Sequence, residues 1–459
     1  MIHQYKLNGY NIVLDVMSGS VHAVDPLAYD VIGLYEHESP DEIVRRMLEK
    51  YQNDPTVDEK EIRDCMEDVA SLKESGKLFA PDPFEGVPLA PRKPFVKALC
   101  LHVAHACNLN CEYCFASQGR YQGERALMSY EVGVQAIDFL IANSGSHKTL
   151  DVDFFGGEPL LNWDVVKRLV QYARSRENES GKRFRFTLTT NGLLIDDEVI
   201  EFSNREMYNV VLSLDGRKEV HDRLRRDYAG RGSYDRIVPL FRKFAESRNE
   251  RGYYVRGTFT HQNTDFLEDI LHIADLGFTQ ISMEPVVASP SDENALTEGD
   301  MPVLFDQYEK LALEMLNRER EGRGFTFYHY MIDLAHGPCI LKRLTGCGSG
   351  TEYFAVTPQG DLFPCHQFAS DPNMKVGDVW HGVTNPDLTG QFVRCNIYAR
   401  EDCQDCWAKL YCSGGCAANA FHATGDITGV YDYGCKLFQK RIECALMMKV
   451  AEATERGQM

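Results

Sequence analysis

No run of about 18 uncharged apolar residues occurs in this 459-residue chain, so a membrane-spanning helix of ordinary length is not expected. The first residues, Met1, Ile2, His3, Gln4, Tyr5 and Lys6, lack the basic-then-apolar order of a signal peptide, and a cytoplasmic location is expected. Positive charge is also short. Against 68 Asp and Glu stand 49 Lys and Arg, a formal net charge of -19. Neutralising phosphates takes clustered cations, so a nucleic-acid partner is not expected either. A cytosolic chain has little use for a disulfide framework, which leaves 15 cysteines in need of another explanation. They read as ligands.

What is present fits a soluble protein of two or three domains with a large core: 44% hydrophobic and 25% charged residues. Residues 1–80 open with apolar–polar alternation at Asn11 to Val16 and Ser20 to Val24, which predicts a β-hairpin. Helical periodicity follows from Pro26 to Tyr35, Pro40 to Tyr51 and Glu59 to Ser75, with Ser39 as an N-cap and Gly76 as a stop. Strands followed by three short helices suggest a small winged helix-turn-helix module. Pro81, Pro83, Pro88, Pro91 and Pro94 then mark 81–94 as a linker.

From 95 to 300, short apolar runs alternate with helical patterns. The runs are Ala98 to His105, Asp151 to Phe155, Phe184 to Thr190, Val210 to Leu214, Tyr254 to Thr260 and Ile281 to Pro285. Six such units predict an α/β fold of parallel strands with crossover helices, an open sheet or partial barrel with its ligand at the carboxyl ends of the strands. A helical bridge at 301–335 leads to a final segment, 336–459, which holds ten of the cysteines among Gly and aromatic residues and is expected to be organised around metal.

Directly after the first core strand stand Cys107, Cys111 and Cys114, spaced C-x3-C-x2-C, with Tyr113 before the third. Three thiolates can hold one 4Fe-4S cube and leave a fourth iron open. A zinc site is the alternative, but structural zinc takes four closed ligands and no histidine follows at finger spacing. This stretch resembles the signature of the radical S-adenosylmethionine (SAM) superfamily, and the resemblance continues through the core. Gly156-Gly157-Glu158-Pro159 after the second strand is similar to the family motif that holds the cofactor's amino group, with Glu158 as acceptor. Thr189-Thr190-Asn191-Gly192 and Ser213-Leu214-Asp215-Gly216 end the third and fourth strands, and Arg225 follows. The resemblance implies that Tyr113, Gly156, Gly157, Glu158, Thr190, Asn191, Ser213, Asp215 and Arg225 surround SAM, Ser213 and Arg225 suiting a carboxylate. It also implies the chemistry: a reduced cluster cleaves SAM, and a 5'-deoxyadenosyl radical takes a hydrogen atom from the substrate.

In the last segment Cys347 is followed by twelve residues, Gly360, four residues and Cys365. Later come Cys403-x2-Cys406-x5-Cys412-x3-Cys416 and, after eighteen residues, Cys435. A pair of zinc ribbons would use similar thiolates. The seven-cysteine spacing resembles the SPASM extension of radical SAM peptide-modifying enzymes. That resemblance implies a closed distal cluster on Cys403, Cys406, Cys412 and Cys435. It implies a proximal one on Cys347, Cys365 and Cys416, bringing the total to three 4Fe-4S clusters. Seven is one short of eight. The proximal fourth position is expected to take a cysteine thiolate of the substrate, with Cys339 as rival ligand. Cys65, Cys100, Cys395 and Cys444 fit no ligand pattern.

With all three regions together the chain resembles the maturases of SCIFF (six-cysteines-in-forty-five) peptides, radical SAM oxidoreductases that join a cysteine sulfur to the α-carbon of another residue. The N-terminal module is then a leader-peptide recognition element, to which a peptide adds a strand. Its acidic helices argue against DNA. The implied partners are a small Cys-rich precursor peptide and a ferredoxin or flavodoxin electron donor, with no nucleic acid and no membrane. Two alternatives stay open: a SPASM oxidase that dehydrogenates serine or cysteine or forms a carbon–carbon crosslink, and a non-catalytic zinc-dependent peptide-binding protein. No proton-transferring residue is assigned; Glu284 and Asp215, near strand ends, are only candidates.

Overall fold

The computed structural model describes residues 1–86, 95–121, 123, 125–289, 291–334 and 339–457. Its first sheet has three antiparallel strands, β1 (Ile2–Leu7), β2 (Tyr10–Asp15) and β3 (Val21–Val24), in that order. The predicted hairpin is β2–β3; β1 is an addition. Asn8 and Gly9 make the turn before β2 with φ of 49° and 84°. Both central residues in the left-handed region twist the backbone in the same sense as the flanking strands, the reason Asn-Gly is a strong hairpin signal.

Helices α1 (Pro26–Leu34), α2 (Pro40–Lys50) and α3 (Glu59–Glu74) follow, each within one residue of its expected end. Asp25, Ser39 and Asp58 cap them by accepting from the backbone N–H three residues on. In the segment expected as a linker, Asp82 accepts from Tyr398 and Lys409, far along the chain. Pro88, Pro91 and Pro94 lie outside the described residues.

The core is a run of six parallel strands: β4 (Ala98–Ala104), β5 (Thr149–Gly156), β6 (Arg183–Thr190), β7 (Met207–Ser213), β8 (Tyr253–Phe259) and β9 (Gln280–Pro285). Each of the six apolar runs became one of them. Helices Tyr130–Asn143, Trp163–Ser180, Asp197–Glu206, Tyr234–Ser247 and Phe266–Asp275 lie between successive strands. Their apolar faces bury one side of the strands, where Val152, Phe154, Phe186, Leu188, Val255 and Met283 are fully covered. The alternate residues Asp153, Phe155, Tyr254, Arg256, Ser282 and Glu284 fall on the opposite, concave face.

The sheet does not stop at these six. β10 (Thr326–Phe327) pairs parallel with β9, and β11 (Tyr353–Val356) pairs parallel with β4. β12 (Asp361–Phe363), β13 (Gly377–Asp378) and β14 (Gly382–Val383) continue antiparallel from β11, giving eleven strands with β10 and β14 at the edges. The cysteine-rich segment is therefore stitched to the barrel by backbone pairing, where the sequence suggested only metal. The last helix, Asp432–Glu455, packs along the bridging helix Met301–Arg320 and also meets the N-terminal sheet. Tyr5 Oη donates to the Glu443 carbonyl at 2.9 Å, and the His3 ring stacks on Trp407 at 3.7 Å.

Candidate active site

The four carboxyl ends of β4 to β7 are tied into one rim. Gly157 N donates to the Ala104 carbonyl and Glu158 N to that of Ala106, each at 2.8 Å, fastening the end of β5 to the loop that opens at Cys107. Gly156 and Gly157 are needed for this approach: a Cβ on Gly156 would stand 2.4 Å from the Ala104 oxygen, and one on Gly157 would stand 2.2 Å from that of Ala106. Their first task is thus to let two backbones touch.

Glu158 is fully buried and bridges β5 to β6. It accepts from Asn191 N at 2.8 Å, from Thr190 Oγ1 at 2.9 Å and from Leu160 N at 3.0 Å. Burial pushes its carboxyl up to about 7 in spite of those donors. Asn191 in turn reaches the cysteine loop, its Nδ2 lying 2.7 Å from Asn108 Oδ1 and 3.6 Å from Cys107 Sγ.

A second knot hangs from β7. Asp215 is fully buried and accepts from Tyr113 Oη at 2.7 Å, from Arg225 Nε at 2.8 Å and from Thr258 N at 3.0 Å. His221 Nδ1 accepts from Asp215 N at 3.3 Å, and Ser233, beside the other His221 nitrogen, donates to the Arg225 carbonyl. Asp215 is therefore committed to holding Tyr113 and Arg225. Ser213 stands half-buried at the end of β7, next to Arg256 of β8.

Cys107, Cys111 and Cys114 come together inside this rim. Burial raises the Cys107 thiol to about 12 and the Cys111 thiol to about 11; neighbouring cysteines of the triad add to both, and Arg225 pulls Cys111 back down. Cys403, Cys406, Cys412 and Cys435 converge likewise, the last raised to about 12 by burial and by the other three. Cys347, Cys365 and Cys416 form a third group, in which Cys365 feels both partners. Cys347 and Cys416 are exposed. Cys339 is also exposed and caps the helix Ile340–Thr345. The fifteen cysteines form no disulfides.

Soft thiols gathered in threes and fours suit iron–sulfur ligation. Among the described residues no three His, Cys, Asp or Glu side chains are placed to chelate one metal ion. A single zinc requires every sulfur about 2.3 Å from one point, whereas thiolates on separate corners of a cube stand farther apart.

Residues 101–276 match the Radical SAM superfamily. The chain carries a radical SAM core. Beyond it, the chain is 26% identical over 346 residues to the cysteine-type anaerobic sulfatase-maturating enzyme of Clostridium perfringens strain 13, covering 70% of this chain and 89% of that one. It is 28% identical over 374 residues to the radical SAM cyclopropyl synthase TigE of Paramaledivibacter caminithermalis, covering 75% and 72%. In fold it matches Streptococcus suis SuiB, solved bound to S-adenosylmethionine and to the precursor peptide SuiA. There the TM-score is 0.53 at 16% identity, over 95% of this chain and 98% of SuiB. Residues 101–276 are thus a radical SAM region, in a chain similar to sulfatase-maturating enzymes and to a cyclopropyl synthase. Such a core takes a 4Fe-4S cluster and SAM. Among the described residues no helix is long and apolar enough to cross a membrane.

Several residues near this core were not singled out from the sequence. His102 and His105, both buried, meet at 3.0 Å, and the Tyr121 ring stacks on His105 at 4.6 Å. His102 Nε2 is buried without a hydrogen-bond partner. Tyr121 stands between two cysteine groups, close enough to feel Cys107, Cys114 and Cys365. The alternation of β4, which puts Cys100 and His102 on the concave face, is the only sequence signal for this cluster. On that face Glu284 meets His329 at 3.3 Å and Arg441 at 3.6 Å, and these contacts hold its carboxyl below the usual range against the cost of burial. Cys395 lies near Cys347, and both border a cavity of about 760 Å³.

Proposed function

We propose that this protein is a radical SAM maturase of a ribosomally made, Cys-rich peptide, forming an intramolecular thioether between a cysteine sulfur and the α-carbon of another residue. The observation that carries the reading is the group Cys347, Cys365 and Cys416: three neighbouring cysteines, two of them exposed, beside a second group of four. Three thiolates leave one corner of a cube for an outside sulfur, and iron-bound sulfur is held deprotonated.

When bound, SAM and the clusters supply the hydrogen-atom acceptor and a one-electron acceptor. The peptide's Cα–H and S–H bonds break and a C–S bond forms. One hydrogen leaves as an atom and one as a proton, and one electron passes to the protein. The chain's own part is position. Glu158 would take the ammonium of SAM, Ser213 and Arg225 would receive its carboxylate, and Tyr113 is fixed by Asp215. Residues 1–80 act as leader recognition element, 95–300 as the radical SAM barrel and 336–459 as a SPASM domain with two auxiliary clusters. In the first of these, among the described residues, β3 pairs on one side only, with β2, and leaves an edge for an added strand. A ferredoxin or flavodoxin donates the electrons.

A second reading, carbon–carbon crosslinking or dehydrogenation, draws on the likeness to a cyclopropyl synthase. Iodoacetamide labelling with tandem mass spectrometry of the product separates the two. Thioether formation withdraws one cysteine from alkylation per crosslink. A modified peptide whose cysteines all remain alkylatable would exclude it. The substrate to use is a short Cys-rich peptide, sought in the reading frames that neighbour that of this protein.

A further inference from the structure

Between the two auxiliary cysteine groups lies a buried arginine. Arg400 is 3% exposed, and its carbonyl accepts from Cys403 N at 3.1 Å, so its backbone starts the turn that presents the distal group. Its side chain runs back past Gly414, with Nε 3.1 Å from where a Cβ would stand there. Gly414 sits two residues from Cys412 of the distal group and two from Cys416 of the proximal one. At the tip, Nη1 donates to the Gly429 carbonyl and Nη2 to Cys395 Sγ at 3.2 Å. Among the described residues no Asp or Glu forms an ion pair with it.

A guanidinium taken out of water without a counter-ion is costly, and the anions within reach are sulfurs. Nη2 meets Cys395 Sγ at 3.2 Å, Cys403 N of the distal group bonds the Arg400 carbonyl, and Nε lies against Gly414, on the chain between Cys412 and Cys416. Asp426, which is exposed, has its carboxyl lowered by its bonds from Thr428 first and by Arg400 only after them.

We propose that Arg400 is a shared positioning residue for both auxiliary clusters, its buried charge raising the reduction potential of each. The inference rests on the reading that these two groups hold clusters. A thiolate-ligated cluster is anionic and gains one more negative charge on reduction, so a fixed neighbouring cation favours the reduced state. One cation placed between two clusters moves both potentials in the same direction. It thereby keeps the proximal cluster able to accept the substrate electron and the distal one able to receive it next.

The test uses the full chain with Cys107, Cys111 and Cys114 all replaced by Ala, so that only auxiliary clusters load, followed anaerobically by iron and sulfide analysis and by EPR-monitored redox titration. Arg400→Gln is expected to shift both reduction equilibria roughly tenfold toward the oxidised state, 59 mV for a one-electron couple, while Arg400→Lys, which keeps the charge, stays near the unsubstituted midpoints. Loss of a cluster in Arg400→Gln but not in Arg400→Lys also supports a charge requirement. Unchanged midpoints in a fully loaded Arg400→Gln protein would overturn the proposal, as would equal loss in both variants, which marks a purely structural side chain. Absence of iron from the unsubstituted background would instead remove the cluster reading beneath it.

Discussion

Arg225 and Asp215 form a buried ion pair, Nε to Oδ2 at 2.8 Å, that ties the end of β7 to the cysteine loop through Tyr113 on the same carboxylate. The guanidinium also lies 5.5 Å from the centre of the Tyr113 ring. Three site residues are therefore one unit, and losing a member affects the others.

Asp215→Asn leaves that guanidinium without its counter-charge in a buried site. Removing one partner of such a pair costs about 3 kcal/mol or more. Tyr113→Phe, which removes a single hydrogen bond to a charged group, costs about 1.5 kcal/mol. Denaturant unfolding of the two variants, anaerobically reconstituted, should rank them in that order.

SAM binding should weaken in acid. The buried Glu158 carboxyl is raised above the ordinary value to about 7, so its anion is present above that pH and is lost as pH falls through it. An ammonium pairs with the anion only. The dissociation constant for SAM should rise by up to about tenfold per pH unit below 7. In Glu158→Gln the slope should vanish and binding at pH 8 should be weak; a slope that survives would place the titrating group elsewhere.

Gly157→Ala tests the rim. A Cβ there meets the Ala106 carbonyl oxygen at 2.2 Å, a backbone atom that can move only by shifting the cysteine loop. The variant should lose SAM cleavage and the iron of the first cluster while the remaining iron stays. At Gly299 an added Cβ stands 3.7 Å from its nearest neighbour, so Gly299→Ala should leave both properties unaltered.

His3→Ala removes the stack on Trp407 and a 3.0 Å contact with Glu443. Those contacts join the N-terminal sheet to the last helix. Loss of about 1 to 2 kcal/mol of docking should speed hydrogen exchange in residues 1–24 without altering SAM cleavage in the absence of peptide.

Much of this was legible in the chain because it is local. Apolar runs became strands, and Ser39 and Gly76 mark helix ends by bonds that reach three residues. Cysteines three and four apart must lie near one another whatever the fold, so the triad could be read as a group; in the distal set Cys435 comes 23 positions after Cys412, and only the spacing pattern joined it to the others. β1 was missed although Asn8-Gly9 announces its turn, because Ile2–Leu7 mixes His, Gln and Lys into a weak apolar pattern. The strands β11 to β14 are two to four residues long, too short for periodicity, and exist by pairing, β11 onto β4 and the rest onto one another.

The sequence by itself determined the six parallel strands of the core and the helices between them, since residue type and spacing are written in it. Only the tertiary structure decided what each ionisable group is committed to. It spent Asp215 on Arg225 and Tyr113, set Glu158 across two strand ends, and slid Arg400 between two cysteine groups whose members are up to 69 positions apart, from Cys347 to Cys416. Such pairings depend on which distant segments burial brings together, and burial is a property of the whole packed chain rather than of any window in it.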